Sequence, residues 1–393
     1  MAKKTEDRSE ISDILKKFAK EGLAAGTFED ITREVVGMPT GNLSLDLTTG
    51  IGGLPVGRII EQYGPPSSGK TTAALQTAAE LQKQIVAEGS DDRILYVDFE
   101  HALDQKYCAA LGLDLNHPSV IVTQPPTLEA GAQLVRALVE TGKLRLVIWD
   151  SVAEGQPKAV LEAETGQSQI AIRAKIMSQF LQQTLNAFFE HDCTVIFINH
   201  IQEKISTTGY TRVVTKTTPG GDALKFYASL RLEFQPMTKS KGKRFDPLTN
   251  TVVEFPVSTD TKITVTKNKV GDPHRSCVVR VRYGKGFDNF WSALQVLVAH
   301  KKITKTGAWH YFDKTPELLL PGLPETSAGR PGAFQGEDSV LRYADDNPEW
   351  RQLVIDYAVA VVALSAQLPQ DLVSAEEDEP VDLLDSIAKV DFS

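Results

Sequence analysis

Gly64-Pro65-Pro66-Ser67-Ser68-Gly69-Lys70-Thr71 fits the pattern G-x-x-x-x-G-K-[ST], and Thr72 carries it into a helix. Before it, residues 58–63 read as a short buried strand; after it, residues 72–81 read as an Ala-rich helix. A strand, a loop and a helix in that order are what the pattern needs to cradle phosphate. The glycines let backbone N–H groups turn inward, and the helix N-terminus adds partial positive charge. Lys70 supplies a point charge for the β- and γ-phosphates, and Thr71 is suited to hold Mg²⁺ through its hydroxyl. The stretch marks a nucleoside-triphosphate site.

Outward from the loop, strand and helix patterns alternate. Residues 93–99 form a strand, a helix follows from Asp104, then come a strand at 120–123, a helix at 127–140 and a strand at 144–150. This alternation predicts an α/β fold with a mostly parallel sheet covered on both faces. A long helix at about 167–190 precedes another apolar strand, 193–199. Ahead of the loop, apolar spacing at Ile11, Ile14, Leu15, Phe18 and Ala19 predicts an amphipathic helix over residues 8–25, which must dock on its own core or on a neighbouring subunit.

After Asn199 the character changes. Residues 201–221 are polar and β-branched, contain Gly and Pro, and show no clear period, which reads as a long binding loop. Strand-like alternation returns at 229–234, 262–267 and 276–283, with a basic turn, Lys239-Ser240-Lys241-Gly242-Lys243-Arg244, between the first two. From Phe287 the chain turns helical, passes a Pro/Gly-rich stretch at 316–336, and ends in an acidic tail. The predicted organisation is therefore an N-terminal helix and linker (1–36), an ATPase core (37–285), a small α+β C-terminal domain (286–370) and the tail (371–393).

A chain of 393 residues, 41% hydrophobic and 24% charged, is ordinary for a globular protein with one large core. Cys108, Cys193 and Cys277 are far apart and lack metal-binding spacing, so neither a disulfide framework nor a zinc site is suggested, and a cytoplasmic setting fits. The first residues carry no apolar run of the secretory kind, and the apolar stretch 353–368, broken by Asp356, reads as a buried helix and not a membrane span. Between Asp371 and Ser393 stand eight acids and one base, so the tail holds seven of the nine net negative charges. It reads as a solvated, disordered segment or as an internal mimic of nucleic-acid charge, and the near-neutral body leaves room for a local cationic surface.

Two acids complete the chemistry around the phosphate loop. Leu146-Val147-Ile148-Trp149-Asp150 is an apolar strand ending in a carboxylate that can sit beside the Mg²⁺ shell. Glu100 follows the strand ending at Phe99, where a carboxylate can polarise the water attacking a γ-phosphate or can simply flank a helix start.

Six stretches in fixed order then carry a resemblance: 64–72, Phe99-Glu100-His101-Ala102-Leu103-Asp104, Asp150-Ser151-Val152-Ala153, Ile198-Asn199-His200-Ile201, residues 220–229 and Lys267-Asn268-Lys269. Together they resemble a RecA-type homologous recombinase, bacterial or phage-borne. Gly307-Ala308-Trp309 and Asp346-Asn347-Pro348-Glu349 extend the likeness into the small C-terminal domain of that family. It implies an ATP- and Mg²⁺-dependent protein that forms a homo-oligomeric helical filament on single-stranded DNA, takes in double-stranded DNA and exchanges strands in recombination, repair and the response to DNA damage.

Residue by residue, the resemblance implies Glu100 as the water-activating acid, with Lys70 beside it. It implies Asp104, Tyr107, Tyr283 and Gly284 as contacts on the adenine side. Lys267 and Lys269 match a pair that reaches the γ-phosphate from the neighbouring subunit; spacing of two on a strand puts both on one face, where they can offset transition-state charge or stand as solvated edge lysines. Phe226, with Lys225, falls at the subunit interface. Residues 162–167 and 203–221 are similar to the two DNA-binding loops, with Lys175, Arg212, Gly220 and Gly221 toward phosphate; Arg173 has no counterpart in the family but adds charge nearby. Ile170 and Ile205 fall where apolar side chains wedge between bases, or else serve ordinary packing.

There are departures. His200 stands where a glutamine commonly senses the γ-phosphate, which makes a trigger that titrates near neutrality. Gln182 replaces an arginine, the second loop is longer, residues 318–330 look inserted, and Trp149 is bulky for its strand. The competing readings are a hexameric RecA-fold motor, a non-catalytic recombination mediator and a metabolite kinase. The paired lysines and N-terminal helix oppose the first, intact Lys70, Glu100 and Asp150 oppose the second, and the third lacks an evident acceptor pocket.

Overall fold

The computed structural model describes residue 17 and residues 34–161, 169–208, 211–246, 248, 250–325 and 331–367, with the backbone alone at 169–170, 202–217, 244 and 364–367. Of the expected N-terminal helix only Lys17 falls among them, helical and exposed; the 162–167 loop and the acidic tail lie outside the described residues. The chain divides into two compact units, Met1–Val36 and Gly37–Ser393.

In the second unit β1 (Gly37–Met38) and β2 (Leu54–Pro55) pair as a short antiparallel ribbon. The main sheet is built from β3 (Ile59–Gly64), β4 (Arg93–Asp98), β5 (Val120–Thr123), β6 (Leu144–Asp150) and β7 (Thr194–His200) on one side. After a separate hairpin, β8 (Gln202–Thr208) with β9 (Thr211–Thr217), it continues through β10 (Leu230–Asp246), β11 (Thr251–Asn268), β12 (Ser276–Arg282) and β13 (Gly286–Phe287). The nine strands lie in the order β13-β12-β11-β10-β3-β7-β6-β4-β5. From β10 to β5 all neighbours are parallel, and from β10 to β13 all are antiparallel.

Alternate residues of the central strands enter different cores, the period of two that a sheet buried on both faces requires. Ile60, Leu146, Ile148, Ile196 and Ile198 pack with Ala73, Ala74, Ala78 and Ala79 of the helix Lys70–Glu88. Ile59, Val147, Trp149, Val195 and Phe197 pack on the other side with Val135, Phe180, Leu181 and Phe188 from the helices Leu128–Val139 and Gln169–Glu190. Trp149 is fully buried, with the rings of Phe99, Phe180 and Phe197 at 5.1, 5.5 and 5.9 Å. Its bulk is matched across the layer by Gly131, where an added Cβ would stand 3.3 Å from the indole and 2.9 Å from the Phe99 ring. Trp149→Ala should therefore cost about 3–5 kcal/mol, checked by a lower denaturant midpoint at unchanged m.

A third cluster lies in the C-terminal region, where Phe290, Leu294, Phe312, Phe334, Trp350 and Val354 are buried together. Its framework is the helix Asn289–Ala299, a small antiparallel sheet of β14 (Thr304–Thr306), β15 (Trp309–Tyr311) and β16 (Ala333–Gln335), and the helices Glu337–Asp346 and Pro348–Gln367. The described part of the 318–330 segment belongs to this core: Leu318 and Leu323 are buried, and the Trp350 indole donates to the Leu318 carbonyl at 2.9 Å. Charged groups seat the region on the main sheet. Arg280 of β12 binds Asp260 through two nitrogens and also reaches Glu337, while Arg282 and Arg351 share Asp345.

Two expectations are corrected. Residues 201–221 are not an irregular loop; β8 and β9 pair from Gln202↔Thr217 to Thr208↔Thr211. Their many β-branched residues favour strand. Residues 239–244 are not a turn but the outer part of β10, paired with β11 out to Asp246↔Thr251. β10 runs to Asp246 before its partner strand begins at Thr251. The stretch 353–368 falls, as far as residue 367, in the helix Pro348–Gln367, and among the described residues no helix is long and apolar enough to cross a membrane.

Candidate functional site

The C-terminal ends of β3, β4, β6 and β7 converge on one edge of the sheet, where β3 hands on to the phosphate loop. Register puts Gly64 opposite His200 and Asp98 opposite Asp150, so Gly64, Glu100, Asp150 and His200 gather there from four strands. In an open α/β sheet this is where ligands bind. The loop is conformationally demanding: Ser67 has φ 58° and Gly69 φ 94°, and Gly69 caps the helix Lys70–Glu88. A Cβ on Gly64 would lie 2.3 Å from the Phe234 carbonyl oxygen, so that position must be glycine. Pro65, Pro66 and Ser67 form the outer bend, and Ser68 is buried with its Oγ unpartnered among the described residues.

Lys70 is 4% exposed and its Nζ donates to the carbonyls of Gly64 at 3.1 Å and Pro65 at 2.8 Å. Burial pulls its pKa down to about 8, against the opposing pull of Asp150 and Glu100. Asp150, almost fully buried, accepts through Oδ2 from Thr71 Oγ1 at 3.0 Å and from the Tyr96 hydroxyl at 2.8 Å. Burial, reinforced by Glu100, pushes the Asp150 carboxyl up to about 6. Its Oδ1 is buried without a partner among the described residues. A threonine hydroxyl on a carboxylate with a spare oxygen, next to a phosphate cradle, fits Mg²⁺, a cation that prefers few protein oxygens plus phosphates and water. Among the described residues no three His, Cys, Asp or Glu cluster as a self-contained metal site.

Glu100 Oε1 lies 3.0 Å from His200 Nε2, both side chains about a quarter exposed. That hydrogen bond holds the Glu100 carboxyl below the usual carboxylate range, despite burial. Sequence reasoning placed both residues near the γ-phosphate but not in contact with each other.

Asp104 caps the helix Gln105–Ala110 by accepting from Tyr107 N at 2.9 Å, and the Tyr107 hydroxyl meets Thr72 Oγ1 at 2.8 Å. This fixes Asp104 and Tyr107 against the first turn after the loop. Tyr283 is 45% exposed with its hydroxyl on Thr259, and Gly284 has φ 74° with open space around it.

Lys267 and Lys269 are elsewhere. Lys267 pairs with Arg231, which is level with Glu61, three residues before Gly64 and two strands away. That is roughly 10 Å along the strands and 10 Å across them from the end of β3. Lys267 Nζ donates to the carbonyls of Lys225 and Phe226 at 2.7 and 2.9 Å, and Lys269 Nζ to Phe226 at 3.3 Å, at the C-terminal end of the helix Gly221–Tyr227. Burial and then the neighbouring Lys269 lower the Lys267 pKa. Phe226 is 74% exposed, and Lys225 bonds Asp222 at 3.0 Å.

Of the residues expected to face DNA, Lys175 is exposed on the helix Gln169–Glu190, seven residues before exposed Gln182 and so on the same face. Arg173 instead turns inward, its Nε donating to the Gly155 carbonyl at 3.1 Å, with its pKa lowered by burial. Ile205 and Arg212 sit opposite Val214 and Thr207 in the β8–β9 hairpin. Their side chains, and that of Ile170, lie outside the described residues. Gly220 and Gly221 have φ 91° and 76°, and an added Cβ would stand 2.7 Å from Val152 and 2.8 Å from Ala174. Their smallness closes the hairpin root against Val152, just past β6, and against the helix Gln169–Glu190.

One feature escaped the sequence. Buried Glu61 accepts from Asn199 Nδ2 at 3.0 Å and from Arg231, whose guanidinium lies 4.6 Å from the Tyr63 ring centre. Asn199 also donates to the Pro219 carbonyl at 2.9 Å. A lone acid inside an apolar strand was its only signal.

The fold and site define a nucleotide-binding protein of the P-loop class. Comparison with known proteins narrows this further: the family model described as RecA N-terminal domain matches residues 6–288. Protein RecA of Acinetobacter baylyi is 34% identical over 376 residues, covering 96% of this chain and 97% of that protein. Protein RecA of Clostridium novyi is 37% identical over 339 residues, 86% of each chain, and that of Staphylococcus carnosus 36% identical over 343 residues, 87% of this chain and 86% of the relative. Among solved structures, the RadB recombinase aligns at TM-score 0.44 and 21% identity, covering 64% of this chain and 98% of that one. The chain belongs to the RecA family, a RecA-type homologous recombinase of recombination and repair.

Proposed function

We propose that this chain assembles with ATP as a helical filament on single-stranded DNA, takes in duplex DNA, exchanges strands, and hydrolyses ATP at the seams between subunits. The observation that carries this reading is the position of the exposed Phe226 and of Lys267 and Lys269, set away from the chain's own phosphate loop while that loop gathers Lys70, Thr71, Asp150 and Glu100. Cations so placed serve a triphosphate held by a neighbouring copy.

In this mechanism the loop amides and Lys70 hold the β- and γ-phosphates, while Asp104, Tyr107, Tyr283 and Gly284 flank the base. Thr71 and Asp150 would hold Mg²⁺, which when bound would supply positive charge against the phosphates. Glu100 orients the attacking water and takes its proton, steadied by His200. Lys267 and Lys269 of the adjoining copy meet the charge that grows on the γ-phosphoryl group. Lys175 and the β8–β9 hairpin grip single-stranded DNA.

The test is ATP turnover with and without single-stranded DNA, imaged in parallel. Stimulated turnover together with filaments is expected; monomers in the presence of ATP, Mg²⁺ and an oligonucleotide, or closed rings, overturn the reading. The Glu100–His200 contact adds a pH prediction. Glu100 acts as carboxylate, and the contact keeps its pKa low, so activity persists to lower pH. In His200→Ala the acid limb of stimulated turnover moves to higher pH as Glu100 returns toward its ordinary range. His200→Gln replaces the imidazole with an amide donor, and a profile identical to the parent's removes the imidazole from the trigger.

A further inference from the structure

β10 and β11 run well past the sheet that anchors them. β10 pairs with β3 over Leu230–Glu233, and β11 with β12 over Ser258–Thr264; past Ser240↔Ser258 one more backbone bond, from Tyr283 N–H to the Val257 carbonyl, ties β11 down, and from Lys241↔Pro256 the described strands pair with each other as far as Asp246↔Thr251. At about 3.3 Å per residue this free ribbon extends roughly 20 Å before it turns. Along it Lys239, Lys241 and Lys243 are exposed while Ser240 and Gly242 are half-buried, so the lysines share one face. The opposite face covers itself: a Cβ on Gly242 would stand 2.7 Å from Val257 and 3.5 Å from the Phe255 ring.

Three apolar side chains close the ribbon in water, with Phe245 59%, Val252 65% and Leu248 94% exposed. Phe245 and Val252 face each other across the two strands. The lysines have little to neutralise them. Lys241 meets Glu254 at 3.3 Å, an exposed pair of small worth, and among the described residues Lys239 and Lys243 have no carboxylate partner. Lysines can guard a bare strand edge against unwanted pairing, but a guarded edge does not also carry a bare apolar tip.

We propose that this ribbon is an arm for double-stranded DNA, its lysine face lying along the phosphates of one strand and Phe245, Leu248 and Val252 pressing into the groove. A two-stranded antiparallel ribbon fits the major groove. Alternate lysines stand about 7 Å apart, a regular row of charge suited to an evenly charged polymer more than to a protein surface. Apolar side chains at the end of such an element wedge against base steps. A single-strand platform would present a row of aromatic rings, whereas the lysine face carries one, Phe245. The proposal rests on the recombinase reading, since the duplex is the one brought in for pairing.

The test uses the full chain with two sets of changes: Lys239→Gln, Lys241→Gln and Lys243→Gln together, and Phe245→Ser with Leu248→Ser. Duplex binding is measured across a potassium chloride series, beside ATP turnover stimulated by single-stranded DNA. In the lysine variant the plot of log affinity against log salt becomes shallower by about 2–3, near 0.9 for each lost phosphate contact, while stimulated turnover stays at the parent's level. The tip variant loses affinity with its slope unchanged. Parental slope and affinity in the lysine variant overturn the arm, as does loss of self-association at parental slope, which makes the ribbon a contact between copies. Absence of stimulated turnover in the parent itself is a failure of the recombinase reading, and the slopes still report on the arm.

Discussion

Lys70→Ala should lose about 10²–10³-fold in ATP turnover and form no nucleotide-dependent filaments, while remaining folded. Both halves of that expectation follow from the same geometry. Lys70 is buried against the carbonyls of Gly64 and Pro65, where a triphosphate gives it the negative partner that it otherwise finds only in Asp150 and Glu100. Because burial lowers its pKa from 10.5 to about 8, the fold disfavours its charged form at neutral pH. Stability contributed by this site rises as pH climbs from about 8 toward 10.5, and removing the ammonium relieves a cost. A thermal midpoint at or above the parent's with turnover gone is the expected pair of results; turnover within tenfold of the parent's would remove Lys70 from the phosphate site.

Lys267→Ala with Lys269→Ala is the second large effect. Supplied across a subunit seam, such cations are worth about 10³–10⁵ in rate, so DNA-stimulated hydrolysis should vanish. Nucleotide affinity of the isolated subunit should persist, because neither lysine is near its own phosphate loop. Mixing this variant with Lys70→Ala separates the roles. A seam that joins an intact phosphate loop to intact lysines recovers turnover, which neither protein shows alone. Unstimulated and stimulated rates equal to the parent's would place the lysines outside the reaction.

The phosphate loop, the parallel sheet and the acids at strand ends were legible because each is written in a contiguous stretch, a glycine pattern or an apolar run with a carboxylate at its end. The β8–β9 hairpin was not, since Gln202–Thr208 and Thr211–Thr217 mix polar with β-branched residues in no regular order and offer no apolar face to mark a period. The outer part of β10 was read as a turn because Lys, Ser and Gly are common in turns; only pairing with β11 makes it strand. Glu100 meeting His200, Tyr96 meeting Asp150, and Glu61 joining Asn199 to Arg231 are juxtapositions set by strand order. No reading along one stretch contains them. Arg173, read as a basic contact for DNA, turns toward Gly155 because its position on the helix faces the protein.

A single residue, Ile201, separates the end of β7 at His200 from the start of β8, and the hairpin's return leg is tied by Asn199 to Pro219. Both feet of the hairpin therefore stand on adjacent residues of one strand end, with no spare length of chain to absorb a shift. Whatever tilts that end tilts the hairpin by the same amount, so in the proposed filament a DNA grip by the hairpin would be geared directly to the state of the phosphate site, like a pointer fixed to its spindle.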